Sequence, residues 1–226
     1  MTKTPERETL HLMLMLALTF STGVIDAVGY LGLDRVFTGN MTGNVVILGM
    51  GLLGADDLPI VGPLIALGCF MLGAAVSGRV LRPVPSGWTA RSTTLFGFVG
   101  AILAVLAIVL ALFPPEIPTG AQFVTTGALG FAMGMQAGTA RHIAVKDVTT
   151  VVVTSTLTGL AADSRLGGNK KQQWKRRAGA VILIGLGALA GAAALHIHIA
   201  LGLGIAAAIS VAVAALGHVK KVTPEA

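Results

Sequence analysis

The sequence predicts an all-α fold: a polytopic membrane helix bundle of six spans plus two short re-entrant or broken helices, arranged as an inverted repeat. Three observations carry this. The 226 residues are 54% hydrophobic and only 12% charged, whereas a soluble domain carries about 25% charged residues. Long apolar segments follow one another nearly end to end, with a mean hydropathy of +0.82. The basic residues, finally, fall on one side of the bilayer under one topology and on both sides under the other.

Eight apolar segments can be marked, covering residues 10–33, 41–54, 58–81, 92–113, 119–140, 148–162, 178–195 and 197–218. The first follows Lys3 and Arg7 as a signal peptide would. Its apolar run continues far past the ~7–15 residues of a signal core, so it reads as a span. The second and sixth are short: at ~1.5 Å rise per residue they fall well below the ~30 Å hydrocarbon core. Pro59 and Pro63 stand near the start of the third segment, where proline is tolerated. Pro83 and Pro85 follow its end, and Pro114, Pro115 and Pro118 separate the fourth and fifth. Ser92 and Thr119 are the expected N-caps of those two. His196 and His198 interrupt the last two segments and predict a tight hairpin turn. Two residues apart, they point to opposite sides of a helix, which disfavours a metal pair.

If all eight segments span, Arg35, Arg79, Arg82, Arg91, Arg141 and Lys146 lie opposite the other basic residues. If the two short segments enter and leave on one face, only Arg35 of the 16 basic residues remains opposite. The positive-inside rule prefers the second arrangement, with both termini cytoplasmic. Counted from Val36 the second segment just reaches spanning length, and the charge distribution decides against that. The same topology exposes two inverted halves, residues 10–113 and 119–218, within a single membrane domain over 1–226. Asp26-Ala27 aligns with Gln136-Ala137, and Met41-Thr42-Gly43-Asn44 with Val153-Thr154-Ser155-Thr156.

Asp26 is the only acidic residue inside a long apolar segment. A carboxylate there costs about 2.5–3.5 kcal/mol on insertion scales, and such residues mark binding or coupling sites or find a structural hydrogen-bond partner. Asn40 and Asn44, four residues apart, are expected on one helix face beside Thr42. Gln136, Thr150 and Thr154 form the matching half. The expected site for a small solute is therefore Asp26, Asn40, Thr42, Asn44, Gln136, Thr150 and Thr154. Hydrogen bonds that merely secure a re-entrant turn are the competing explanation for the same residues.

Other classes are disfavoured. Aromatics make up 5% and the basic residues are scattered, so no nucleic-acid surface is expected. There is no Walker loop, no G-x-S-x-G and no H-E-x-x-H, and no cofactor is expected. Cys69 is the single cysteine. The glycine series Gly130, Gly134 and Gly138, like Gly187 and Gly191, predicts close helix packing, within the chain or between copies of a homo-oligomer. The basic loop 163–177 predicts contact with the lipid bilayer surface. It also supports an alternative reading of the chain as a non-catalytic scaffold or sensor. An intramembrane enzyme using Asp26 as a base is a third.

The stretches Gly23-Val24-Ile25-Asp26-Ala27, Val36-Phe37-Thr38 and Asn40-Met41-Thr42-Gly43-Asn44 resemble the signature of the YoaK-like bacterial membrane proteins, a family of unknown function. Residues 130–137 and 149–163 are similar to its second half. The family pattern carries Asn one residue after the glutamine, where this chain has Ala137. The resemblance implies a multi-span protein of the bacterial plasma (inner) membrane and supplies no substrate, cofactor or mechanism.

Overall fold

A computed structural model describes residues 5–112, 117–145, 153–170 and 172–222. Among them are eight α-helices and no strand: α1 (Pro5–Gly32), α2 (Met41–Gly51), α3 (Val61–Leu81), α4 (Ala90–Ala111), α5 (Thr119–Ile143), α6 (Val153–Ala162), α7 (Trp174–Leu195) and α8 (Ile199–Val222). Five of the long helices, α1, α3, α4, α7 and α8, are long and apolar enough to cross a membrane. Helix α5 has 25 residues but is more polar, carrying buried Thr125, Thr126, Gln136 and Thr139. The chain is thus a polytopic helical membrane bundle.

Small residues set the closest packing. Gly23 and Gly187 bring α1 and α7 together, each against a backbone carbonyl of the other helix, those of Ile184 and Phe20. Gly134 and Gly73 do the same for α5 and α3, against the carbonyls of Phe70 and Phe131. A Cβ at any of the four would collide with that backbone. Both pairs run parallel. Helices α4 and α8 pack antiparallel, with Gly100 against Ala207 and Val211. Helix α1 also packs on α8, and α4 on α5. The two short helices lie outside this framework, α2 on α3 and α6 on α7. The expected glycine faces therefore serve packing within the chain.

The apolar core runs through α1, α4, α5 and α8, with Val28, Val99, Leu103, Met133 and Leu203 buried. A second cluster closes one end of the bundle. There Trp88 stacks on His11 (5.6 Å between centroids), packs against Phe96 and bonds Thr93 Oγ1 through Nε1 at 3.0 Å. Gly217 of α8 lies directly against the Trp88 ring. His142 Nε2 meets the Pro85 carbonyl oxygen at 3.0 Å, and the Gly87 N–H bonds the His142 carbonyl. The start of α1, the 82–89 loop and the ends of α5 and α8 thus share one face. At the other face Arg35 meets Asp56.

Local signals explain most boundaries. The α7–α8 turn falls at residues 196–198 as the two histidines predict, and His198 Nδ1 accepts from the Ala200 N–H at 3.1 Å. Two caps differ from expectation. Thr89, not Ser92, caps α4; the Thr89 hydroxyl accepts from the Ser92 N–H and Ser92 Oγ accepts in return, a reciprocal capping box. The N-cap position of α5 is Pro118, so Thr119 is already its first helical residue. In both places helical backbone extends one or more residues ahead of the position that the hydroxyl and the apolar run suggest.

Candidate functional site

The site begins with a stripe on α1: Thr22, Asp26 and Tyr30, each four residues apart, share one face. Past Gly32 the chain reverses. Asp34 and Arg35 both take left-handed backbone angles (φ 59° and 56°), unfavourable for non-glycine residues but suited to a sharp turn. The return brings the Val36 carbonyl against Gly29 and the Val36 side chain against Gly62. Residues 38–40 thereby come back to the level of Asp26, and α2 leads away again.

Asp26 fastens this return. Its Oδ1 accepts three successive backbone N–H groups, from Thr38 at 3.1 Å, Gly39 at 2.7 Å and Asn40 at 3.3 Å. These lie just ahead of α2, where unpaired N–H groups and the helix dipole stabilise negative charge. Gly39 is needed for the approach. A Cβ there would stand 2.9 Å from Thr22 Cγ2 and 3.3 Å from Asp26 Oδ1. Asp26 is only 9% exposed. Its Oδ2 accepts no hydrogen bond among the described residues.

Asn44 is structural. Its Oδ1 accepts the Phe37 N–H at 2.9 Å and its Nδ2 donates to the Phe37 carbonyl, so the amide pairs with both polar groups of one residue. Asn40 is the N-cap of α2, its Oδ1 accepting the Gly43 N–H at 3.2 Å. Lying outside the helix, Asn40 does not share a helical face with Asn44. Gly43 leaves room for the Phe37 ring, which stacks on Tyr30 with centroids 4.8 Å apart.

Beside these groups is a cavity of about 590 Å³, walled by α1, the 37–40 return, α2, the head of α6 and one side of α7. Of the expected site residues it is lined by Asp26, Asn40, Thr42 and Thr154. Asn44 faces Phe37 instead. Gln136 lies behind the wall, fully buried, its Nε2 donating to Thr22 Oγ1 at 3.0 Å. Thr22 in turn donates to the Leu18 carbonyl. Thr150 lies outside the described residues. Thr22, Tyr30, Phe37 and Ile184 also line the cavity, beyond the residues expected from sequence. The i, i+4, i+8 spacing of Thr22, Asp26 and Tyr30 is the signal that identifies Thr22 and Tyr30. Among the described residues the lining offers one carboxylate, hydroxyls, one amide and apolar walls. Such groups can hold a solute by charge and hydrogen bonds.

The basic loop is partly neutralised from within. Arg177 Nη1 donates to Asp163 Oδ2 at 2.9 Å and to Gln172 Oε1 at 3.2 Å, and Lys170 stands 3.8 Å from Asp163. The hydrogen bond from Arg177, aided by the charge of Lys170, holds the Asp163 carboxyl below its ordinary value.

Known proteins share this sequence pattern. The family model described as "Protein of unknown function (DUF1275)" matches residues 14–216. The UPF0700 transmembrane protein YoaK of Bacillus subtilis (strain 168) is 30% identical over 184 residues, which cover 78% of this chain and 80% of YoaK. No solved structure matches. The matched region includes every residue named in the cavity lining, and the chain belongs to the DUF1275 family of membrane proteins of unknown function.

Proposed function

We propose that this chain is a secondary transporter or channel for a small polar solute, placed in the bacterial plasma (inner) membrane with both termini cytoplasmic. The observation that carries the reading is the cavity. It is walled by α1 and α2 from one half of the chain and by α6 and α7 from the other, around a buried carboxylate, the one carboxylate among the described lining residues. A scaffold has no need of a space of this size at its polar centre.

An inverted repeat is supported by the packing. In this reading α1–α4 correspond to α5–α8. Each contact in the first half then has a counterpart: α1 on α7 with α5 on α3, α1 on α8 with α5 on α4, α2 on α3 with α6 on α7. Phe20 and Gly23 stand to Ile184 and Gly187 as Phe131 and Gly134 stand to Phe70 and Gly73. This register differs by one residue from the sequence alignment of Asp26 with Gln136. It sets Asp26, six residues before the end of α1, against Ala137, six residues before the end of α5. The architecture is then doubled, while among the described lining residues the charge is single. Helix α5 serves as the sixth span, and α2 and α6 as re-entrant elements, tolerated at membrane depth because they wall a cavity. Rocking of the halves about the site would alternate its access.

Thr42→Cys in a Cys69→Ala background tests this. In right-side-out and inside-out vesicles, a membrane-impermeant thiol reagent should reach the cysteine from both faces. Reaction from one face only defeats alternating access.

A further inference from the structure

We infer that the cavity takes a small monovalent organic cation with an aromatic or apolar body. This rests on the transport reading of the same cavity and adds the chemical class of its solute.

Charge points first. Asp26 supplies the only formal charge among the described lining residues. The N–H groups ahead of α2 and the helix dipole oppose it, but a helix N-terminus carries only on the order of half an elementary charge. The balance at the cavity wall stays negative. The anion that a helix N-terminus attracts is already present, since Asp26 Oδ1 occupies the N–H groups of Thr38, Gly39 and Asn40. An incoming anion would meet a carboxylate with no cation beside it among the described lining residues. An incoming ammonium finds Oδ2, an acceptor with no partner among the described residues in a side chain 9% exposed.

Shape and wall chemistry point the same way. At about 590 Å³ the cavity falls within the ~300–1,000 Å³ of pockets for organic ligands. Its walls include apolar Val46, Ile47 and Ile184. Tyr30 and Phe37, stacked on one another, line it together with the carboxylate. Aromatic rings attract a cation at their faces, most strongly where water is excluded. Thr42 and Thr154 hydroxyls can accept the remaining N–H groups of a primary amine.

Equilibrium binding of radiolabelled benzylammonium (benzylamine at neutral pH) to the full chain in nanodiscs tests the inference. Saturable binding should appear, displaced by the unlabelled cation and not by phenylacetate or benzyl alcohol. Phe37→Leu should weaken it several-fold. Asp26→Asn keeps an oxygen for the three N–H groups and should weaken binding by about tenfold or more, the scale of a lost charge-assisted contact. Should that variant fold poorly, Val46→Trp serves in its place. Val46 is 54% exposed, so the larger ring should fill the cavity at wild-type thermal stability and abolish binding. Absence of saturable binding, equal displacement by phenylacetate, or wild-type affinity in either folded Asp26→Asn or Val46→Trp overturns the inference. Two-sided labelling of Thr42→Cys without cation binding would leave transport standing and remove the solute class. Cation binding with one-sided labelling would do the reverse.

Discussion

The side-chain amide of Asn44 pairs with both the N–H and the C=O of Phe37, seven residues earlier, as a neighbouring strand would. With Asp26 holding the next three N–H groups, four successive residues of the return segment have their amide donors satisfied by only two side chains.

Asn44→Ala should therefore be more damaging than Asn40→Ala. The first strands a partly buried N–H and C=O, each costing up to about 1–3 kcal/mol when left unsatisfied. The second removes an exposed N-cap, typically worth about 1 kcal/mol. Thermal unfolding of the two variants in the same detergent checks the order. Equal midpoints would mean that the Phe37 pairing contributes no more than a cap.

Glycines that look alike in sequence should divide sharply. Gly134→Leu places a side chain on the Phe70 carbonyl and must part α3 from α5, so folding should be lost before any binding is measured. Even Gly134→Ala should lower the unfolding midpoint. Gly68, on α3, faces open space where a Cβ would stand. Gly68→Ala should be neutral or stabilising by up to about 0.5–1 kcal/mol, from reduced backbone entropy in the unfolded chain. Wild-type stability in Gly134→Leu would contradict the packing.

The Asp163–Arg177 pair predicts a defined acid dependence. The folded Asp163 carboxyl titrates below its ordinary value of 3.8, so its contribution to stability is fully present above that value. It is lost as pH falls through the lower folded value. Wild type should exceed Asp163→Asn in unfolding midpoint at neutral pH, and the two should converge in strong acid. A gap that stays constant with pH would assign the difference to something other than ionisation.

Topology is checked by single cysteines in the Cys69→Ala background. Asp56 shares its face with Arg35, whereas Ser86 lies in the loop that carries Trp88 and meets His142. Asp56→Cys should label from outside and Ser86→Cys from inside. Both labelling from one side would contradict the orientation and the inverted halves together.

Much of the fold was legible because hydrophobic length and charge act locally. The ends of α3 and α7, the hairpin at 196–198 and the shortness of α2 and α6 follow from prolines, histidines and apolar runs. What was not legible depends on how the chain returns. Asn40 and Asn44 have helical spacing, yet the helix begins between them, so one caps and the other reaches back to Phe37. Gln136 is polar and buried as expected but faces Thr22 rather than the cavity. In the proposed repeat Asp26 would share a position with Ala137 and no chemistry, so weak identity alone offers no register. Phe37 reaches the cavity only because Asp34 and Arg35 turn the chain back; aspartate tolerates that conformation, but arginine does not announce it.

The two oxygens of Asp26 have separate work, one committed to the backbone and the other without a partner among the described residues. An asparagine would keep the first and cancel the charge of the second. Since aspartate and asparagine codons differ by a single base, one nucleotide change could retune what the centre attracts without rebuilding the loop. If the proposed transport holds, preference for charge would be among the easiest properties of such a protein to alter by descent.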